Sequence, residues 1–153
     1  FRACATMIDR SKLENVILVA DRGYENYNIF AHAIEKGWKF AIRVKDKNSN
    51  GIASGLNLPP NDEFDIDITQ IFSRKNTKTT KNADYKWMPV NQVFDYLPRK
   101  SDKTYELSFE MAHYADIGII LHREKYIRAT RSTSSFDLIS LLVASIIGCS
   151  VMP

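Results

Sequence analysis

Val16–Ala20 is an unbroken apolar run rich in β-branched side chains, and Asp21-Arg22-Gly23 ends it abruptly. A run of that length and type fits a strand buried on both faces, as in a parallel sheet. Tyr24, Tyr27, Ala31, Ile34 and Trp38 then recur at three- and four-residue steps, which places them on one face of a helix. Glu25 near its start suits the positive end of the helix dipole, and Gly37 supplies a stop. Phe40, Ile42 and Val44 alternate with Ala41, Arg43 and Lys45, the period of a strand. Strand, helix, strand in that order predicts two adjacent parallel strands, with a helix from about Glu25 to Lys36 crossing between them.

The character of the chain changes after Asp46. Asn48–Gly51 and Pro59-Pro60-Asn61-Asp62 are turn chemistry. Phe64, Ile66 and Ile68 alternate with Asp65, Asp67 and Thr69, which reads as a half-exposed strand. Ser73–Asp84 is a polar, basic loop carrying Arg74, Lys75, Lys78 and Lys81. Tyr85–Val90, Val93–Leu97 and Thr104–Met111 read as further short strands, so residues 50–112 form an antiparallel β-rich block. Beyond it, Ile117–Leu121 reads as a strand, and Ser132–Ser135 as the cap of a helix running to Ile147.

The bulk properties narrow the class of protein. In 153 residues, 44% hydrophobic and 25% charged, there is material for one globular domain, or a core and a subdomain. The net charge of +3 is compatible with nucleic acid without requiring it. Cys4 and Cys149 stand far apart with no Cys-x-x-Cys pair, and His32, His113 and His122 have no metal-ligand spacing. That argues against a zinc site or a disulfide scaffold and fits a reducing cytoplasm. The longest apolar run, Leu138–Ile147, is broken by Ser140 and Ser145, and is shorter than the ~20 residues a membrane span requires. The chain opens on Phe1 with no signal-type segment, so further sequence is expected upstream.

Asp21 is the leading candidate for chemistry. It falls at the C-terminal end of a strand, the edge at which open α/β sheets bind ligands. A carboxylate there is a hard-oxygen ligand suited to Mg²⁺. Taken alone, an Asp in that place is equally a turn and helix-entry residue. Arg22, Arg43 and Lys45 stand near it in the pattern and are candidate contacts to DNA phosphates, against a reading as solvated charge. Arg74, Lys75, Lys78 and Lys81 offer a second basic stretch on the same terms. Tyr24, Tyr27, Trp38, Tyr85 and Trp87 read as core residues, with stacking on a flipped base as the other role for the last two.

The string ILVADRGYENYNIFAHAIEKGWKFAIRVKD, from Ile17 to Asp46, resembles DDE-type transposases of bacterial insertion sequences, in the insertion-sequence-4 group. The resemblance rests on Asp21-Arg22-Gly23-Tyr24 after an apolar strand and on Arg43-Val44-Lys45 at the end of the next. It extends back through Phe1–Ser11 and forward through Asn50–Pro59 to about Phe109, and it is expected to stop from Glu110. The resemblance implies an α/β fold with a partial ribonuclease-H-like core of strand, helix and strand over residues 1–46. It implies an antiparallel β-rich insertion over 47–112 and a divergent tail over 113–153.

It also implies cut-and-paste DNA cleavage and strand transfer on double-stranded transposon ends. The chemistry uses two Mg²⁺ (or Mn²⁺) ions about 3.5–4 Å apart, held by three carboxylates. Asp21 matches the second of these, as catalytic and metal-binding residue. The first Asp has no counterpart in this chain. The Glu belongs to a Tyr-x2-Arg-x3-Glu-x6-Lys pattern that no combination of Tyr114, Arg123, Glu124, Tyr126 and Arg128 satisfies. A fragment inactive by itself is therefore the first expectation. A non-catalytic DNA-binding module, or one that pairs with full-length transposase and inhibits it, is the second. A nucleotide-binding α/β domain ranks last, because Gly23 stands alone where a glycine-rich phosphate loop belongs.

Overall fold

The computed structural model describes residues 1–77, 85–114 and 117–122. The elements are α1 (Arg2–Arg10), β1 (Ile17–Ala20), α2 (Tyr27–Glu35), β2 (Lys39–Val44), β3 (Phe64–Ser73), β4 (Tyr85–Trp87), β5 (Thr104–Tyr114) and β6 (Ile117–His122). Short 3-10 turns lie at Arg22–Tyr24 and Ala53–Gly55. The strands make one sheet in the order β1-β2-β6-β5-β3-β4.

β1 and β2 are adjacent and parallel, with Ile17 opposite Lys39 and Ala20 opposite Ile42. The alternation over residues 39–44 carries Phe40, Ile42 and Val44 into the core, at 4% exposure or less. α2 runs between the two strands and is shorter than expected. Asn26 caps it by accepting from the Asn28 N–H at 2.8 Å. Gly37, at φ +73°, closes it, with Gly37 N–H on Ile34 O and Trp38 N–H on Ala33 O. That pair of bonds is a Schellman closure, which glycine permits at no steric cost. Glu25 stays outside the helix and reaches the end of β2 instead.

Three expectations about burial are corrected. β1 is an edge strand, with Ile17 58% and Val19 43% exposed, rather than a strand buried on both faces. Ile17 and Val19 lie on one face of the sheet, while the alternating Leu18 and Ala20 pack against the main core on the other. Tyr24 lies in the 3-10 turn, 48% exposed, and not on the helix face. Trp87 is 46% exposed, and only its neighbour Met88 enters the core.

The β-rich segment is joined edge to edge with the β1–β2 pair. β6 lies between β2 and β5, antiparallel to both, with Ile42 and Met111 facing Ile120 in register. The strand expected at Ile117–Leu121 is therefore central to the sheet, and the boundary expected at residue 112 falls within β5. β3 and β5 pair antiparallel over their length, but β3 and β4 are parallel. Val93–Leu97 is not a strand: it is a turn segment that buries Phe94 and Leu97.

The main core lies between the sheet and α2, where Phe30 stacks on Phe40 at 5.1 Å and Tyr27 meets Phe72 at 4.8 Å. Burying a side chain such as Phe30, at 0% exposure, contributes about 2–3 kcal/mol. α1, which the sequence pattern does not announce, packs on α2 through the buried Ala5 and Ile8. The tail helix expected at Leu138–Ile147, its cap, Lys78 and Lys81 lie outside the described residues. Among the described residues, no helix is long and apolar enough to cross a membrane.

Candidate functional site at the β1–β2 edge

The parallel register sets the site. Ala20 is opposite Ile42, so the next residues along the two strands, Asp21 and Arg43, come out side by side. The Asp21 Oδ1 to Arg43 Nη1 distance is 4.0 Å, with the carboxylate 63% and the guanidinium 32% exposed. An exposed pair at that separation adds little stability, and it leaves both groups open to solvent. Asp21 has extended backbone, and its carbonyl accepts from the Tyr24 N–H at 2.8 Å to start the 3-10 turn.

That turn carries Arg22, which is exposed, and delivers Glu25 against the other end of the site. Glu25 Oε2 accepts from the Lys45 backbone N–H at 2.8 Å, and Glu25 Oε1 lies 3.6 Å from Lys45 Nζ. Asp21, Arg22, Arg43 and Lys45 are thus gathered at one sheet edge, as the sequence suggests. Glu25 joins this edge through its contacts with Lys45, which no local sequence pattern announces.

The second basic stretch behaves differently. Arg74 donates from Nε to Leu97 O at 3.0 Å and from Nη1 to Pro89 O at 2.7 Å and Gln92 O at 3.0 Å. Longer bonds reach Met88 O and Phe94 O. Lys75 pairs with Asp102 at 2.8 Å. The expectation that Arg74 lies in a solvated or phosphate-binding loop is corrected: its donors hold the 88–97 segment in place.

Among the described residues, no three His, Cys, Asp or Glu side chains are grouped to hold a metal ion. The ionic contact of Asp21 is with a cation, Arg43. Among the described residues, Asp21 is a single carboxylate that could contribute to a two-ion centre but does not complete one.

Against this geometry, the family described as the transposase DDE domain matches residues 1–123. The chain belongs to the DDE transposase family. The match runs past Glu110, where the resemblance was expected to stop, and takes in all of β5 and β6. No curated protein and no solved structure matches the chain. For a DDE transposase domain, the function is tied to transposition, the substrate is DNA, and the family typically uses a divalent metal.

Proposed function

We propose that this chain is part of the catalytic domain of a cut-and-paste DNA transposase of the insertion-sequence-4 group. In this reading it contributes Asp21 as the second of three metal-binding carboxylates on a ribonuclease-H-like core. The observation that carries the reading is the place of Asp21. It ends β1 of a parallel pair, at the ligand-binding edge of the sheet, beside the Arg43 guanidinium of the neighbouring strand.

The roles follow from that placement. Asp21 offers an exposed carboxylate to a hard divalent cation such as Mg²⁺ or Mn²⁺. Arg22, Arg43 and Lys45 offer cations to the phosphates flanking a scissile bond, and position DNA without reading its sequence. The bound metal would supply charge stabilisation and activation of the attacking oxygen in the complete enzyme. One carboxylate does not fix two ions, so this chain alone is assigned no cleavage step.

The absence of a carboxylate cluster around Asp21 among the described residues also favours a second reading: a non-catalytic module that binds transposon ends, or that pairs with full-length transposase and inhibits it. The catalytic reading and the DNA-binding form of the second both require DNA contact through the same cations. The test is anisotropy of labelled duplex DNA against the chain at graded salt. Binding should be weak, non-selective and salt-dependent, and Arg43→Glu with Lys45→Glu should weaken it by about tenfold or more. Absence of binding, or binding indifferent to both reversals, contradicts the proposal.

A further inference from the structure

Glu25 is a carboxylate with only 6% of its side chain exposed, at a sheet edge where its neighbours are open to water. Burial of a charge is costly unless its oxygens are satisfied. One oxygen is hydrogen-bonded, accepting the Lys45 N–H at 2.8 Å, and the other is ion-paired with Lys45 Nζ at 3.6 Å. The chain also leaves room for it. A Cβ at Gly51 would stand 2.7 Å from Glu25 Oε1 and 2.8 Å from Lys45 Cβ, so a glycine there is what lets the carboxylate sit against Lys45.

The two contacts Asp21–Arg43 and Glu25–Lys45 tie the same two segments, the turn after β1 and the end of β2. Glu25 therefore sets where the end of β2, and with it Lys45 Nζ, stands relative to Asp21. We infer that Glu25 is a positioning residue, which holds Lys45 for a DNA phosphate beside Asp21, and does not merely neutralise it. This rests on the DNA-binding reading above.

The sign of one effect separates the two roles. Glu25→Gln raises the net charge by one, so if Glu25 only neutralises Lys45, duplex DNA binds tighter. If Glu25 positions Lys45, binding weakens in spite of the added positive charge.

The experiment measures affinity for a labelled random-sequence duplex over a salt series, with wild type, Glu25→Gln, Lys45→Ala, the double variant and Gly51→Ala. Thermal melts by circular dichroism accompany each. The expected result is about a fivefold loss at about 50 mM salt for Glu25→Gln, with the salt slope reduced by about one phosphate contact. Lys45→Ala should show the same loss, and the double variant no more than either single one. Gly51→Ala, which crowds both the Glu25 carboxylate and Lys45 Cβ without changing charge, should also weaken binding. Equal or tighter binding by Glu25→Gln overturns the inference, as does a further loss in the Lys45→Ala background. Wild-type binding weakened by Arg43→Glu but unmoved by the Glu25, Lys45 and Gly51 substitutions sinks this inference alone. No wild-type binding sinks the DNA reading and takes this inference with it.

Discussion

The imidazole of His32 stands between two carboxylates from different parts of the chain. Nδ1 lies 2.7 Å from Asp9 Oδ1 in α1, and Nε2 lies 2.9 Å from Asp95 Oδ2 in the segment after β4. Asn28 braces the second carboxylate, donating from Nδ2 at 2.7 Å. When protonated, His32 donates on both sides and fastens α1 and the 93–97 segment to α2.

That arrangement predicts a two-sided pH dependence of stability. Burial pulls the His32 pKa down, but the hydrogen bonds to Asp95 and Asp9 and their charges outweigh it and leave the pKa above its ordinary 6.5. The stability this contributes is complete below 6.5 and is lost as pH rises through the higher folded value. Asp95 is held below its ordinary 3.8, first by the Asn28 hydrogen bond and then by His32. Its contribution is present above 3.8 and is lost as pH falls through the lower folded value. The urea midpoint should therefore be flat between about pH 4 and 6.5 and fall on either side. His32→Gln should remove the alkaline fall. An unchanged alkaline fall in that variant assigns it to other groups.

Arg74 should prove structural. Its donors bond carbonyls of Met88, Pro89, Gln92, Phe94 and Leu97, five groups that would otherwise lack these bonds. Arg74→Ala should cost about 3 kcal/mol in chemical denaturation. Arg74→Lys should recover little, because an ammonium cannot reproduce the planar fork. DNA affinity measured where the variants remain folded should not change. A selective loss of DNA binding with stability intact would restore Arg74 to the binding surface.

Tyr27 carries a buried hydroxyl with no hydrogen-bond partner among the described residues. Burial, and next the charge of Glu25, push its pKa far above the ordinary phenol value. Its ring is also the face over which Lys86 Nζ sits at 5.6 Å. Tyr27→Phe keeps the ring and removes the unpaired hydroxyl. It should leave the melting temperature unchanged or raise stability by about 1 kcal/mol. A loss of more than about 1 kcal/mol would mean that the hydroxyl has a partner, such as a buried water.

The legible parts of the fold are those written in local periodicity. The alternation from Phe40 to Val44 marks β2, Gly37 marks the end of α2, and the apolar run Val16–Ala20 marks β1 without showing which of its side chains are exposed. The exposure of Ile17 and Val19 is not legible, since an apolar run does not show which face of the sheet the rest of the chain covers. Nor is the place of β6, whose pairing with β2 joins residues about eighty apart in sequence. Val93–Leu97 has the composition of a strand, but five carbonyls in and around it turn inward to one arginine, and no window of sequence contains both. At the candidate site, the neighbouring positions of Asp21 and Arg43, with Lys45 beyond, are legible from the strand ends. Glu25 was assigned to the dipole of α2 because its contact with Lys45 exists only once β1 and β2 are side by side.

The role given to Asp21 is tested most directly by strand cleavage. The purified chain is incubated with duplex DNA carrying transposon ends, in Mg²⁺ or Mn²⁺, and new 3′-hydroxyl ends are counted. A longer protein that carries all three family carboxylates is assayed beside it with and without Asp21→Ala. The chain alone should give no cleavage, the extended protein should cut, and Asp21→Ala should lower its rate by about a thousandfold or more. Cleavage by the chain alone that survives Asp21→Ala, or an extended protein that cuts equally well without Asp21, would contradict the account.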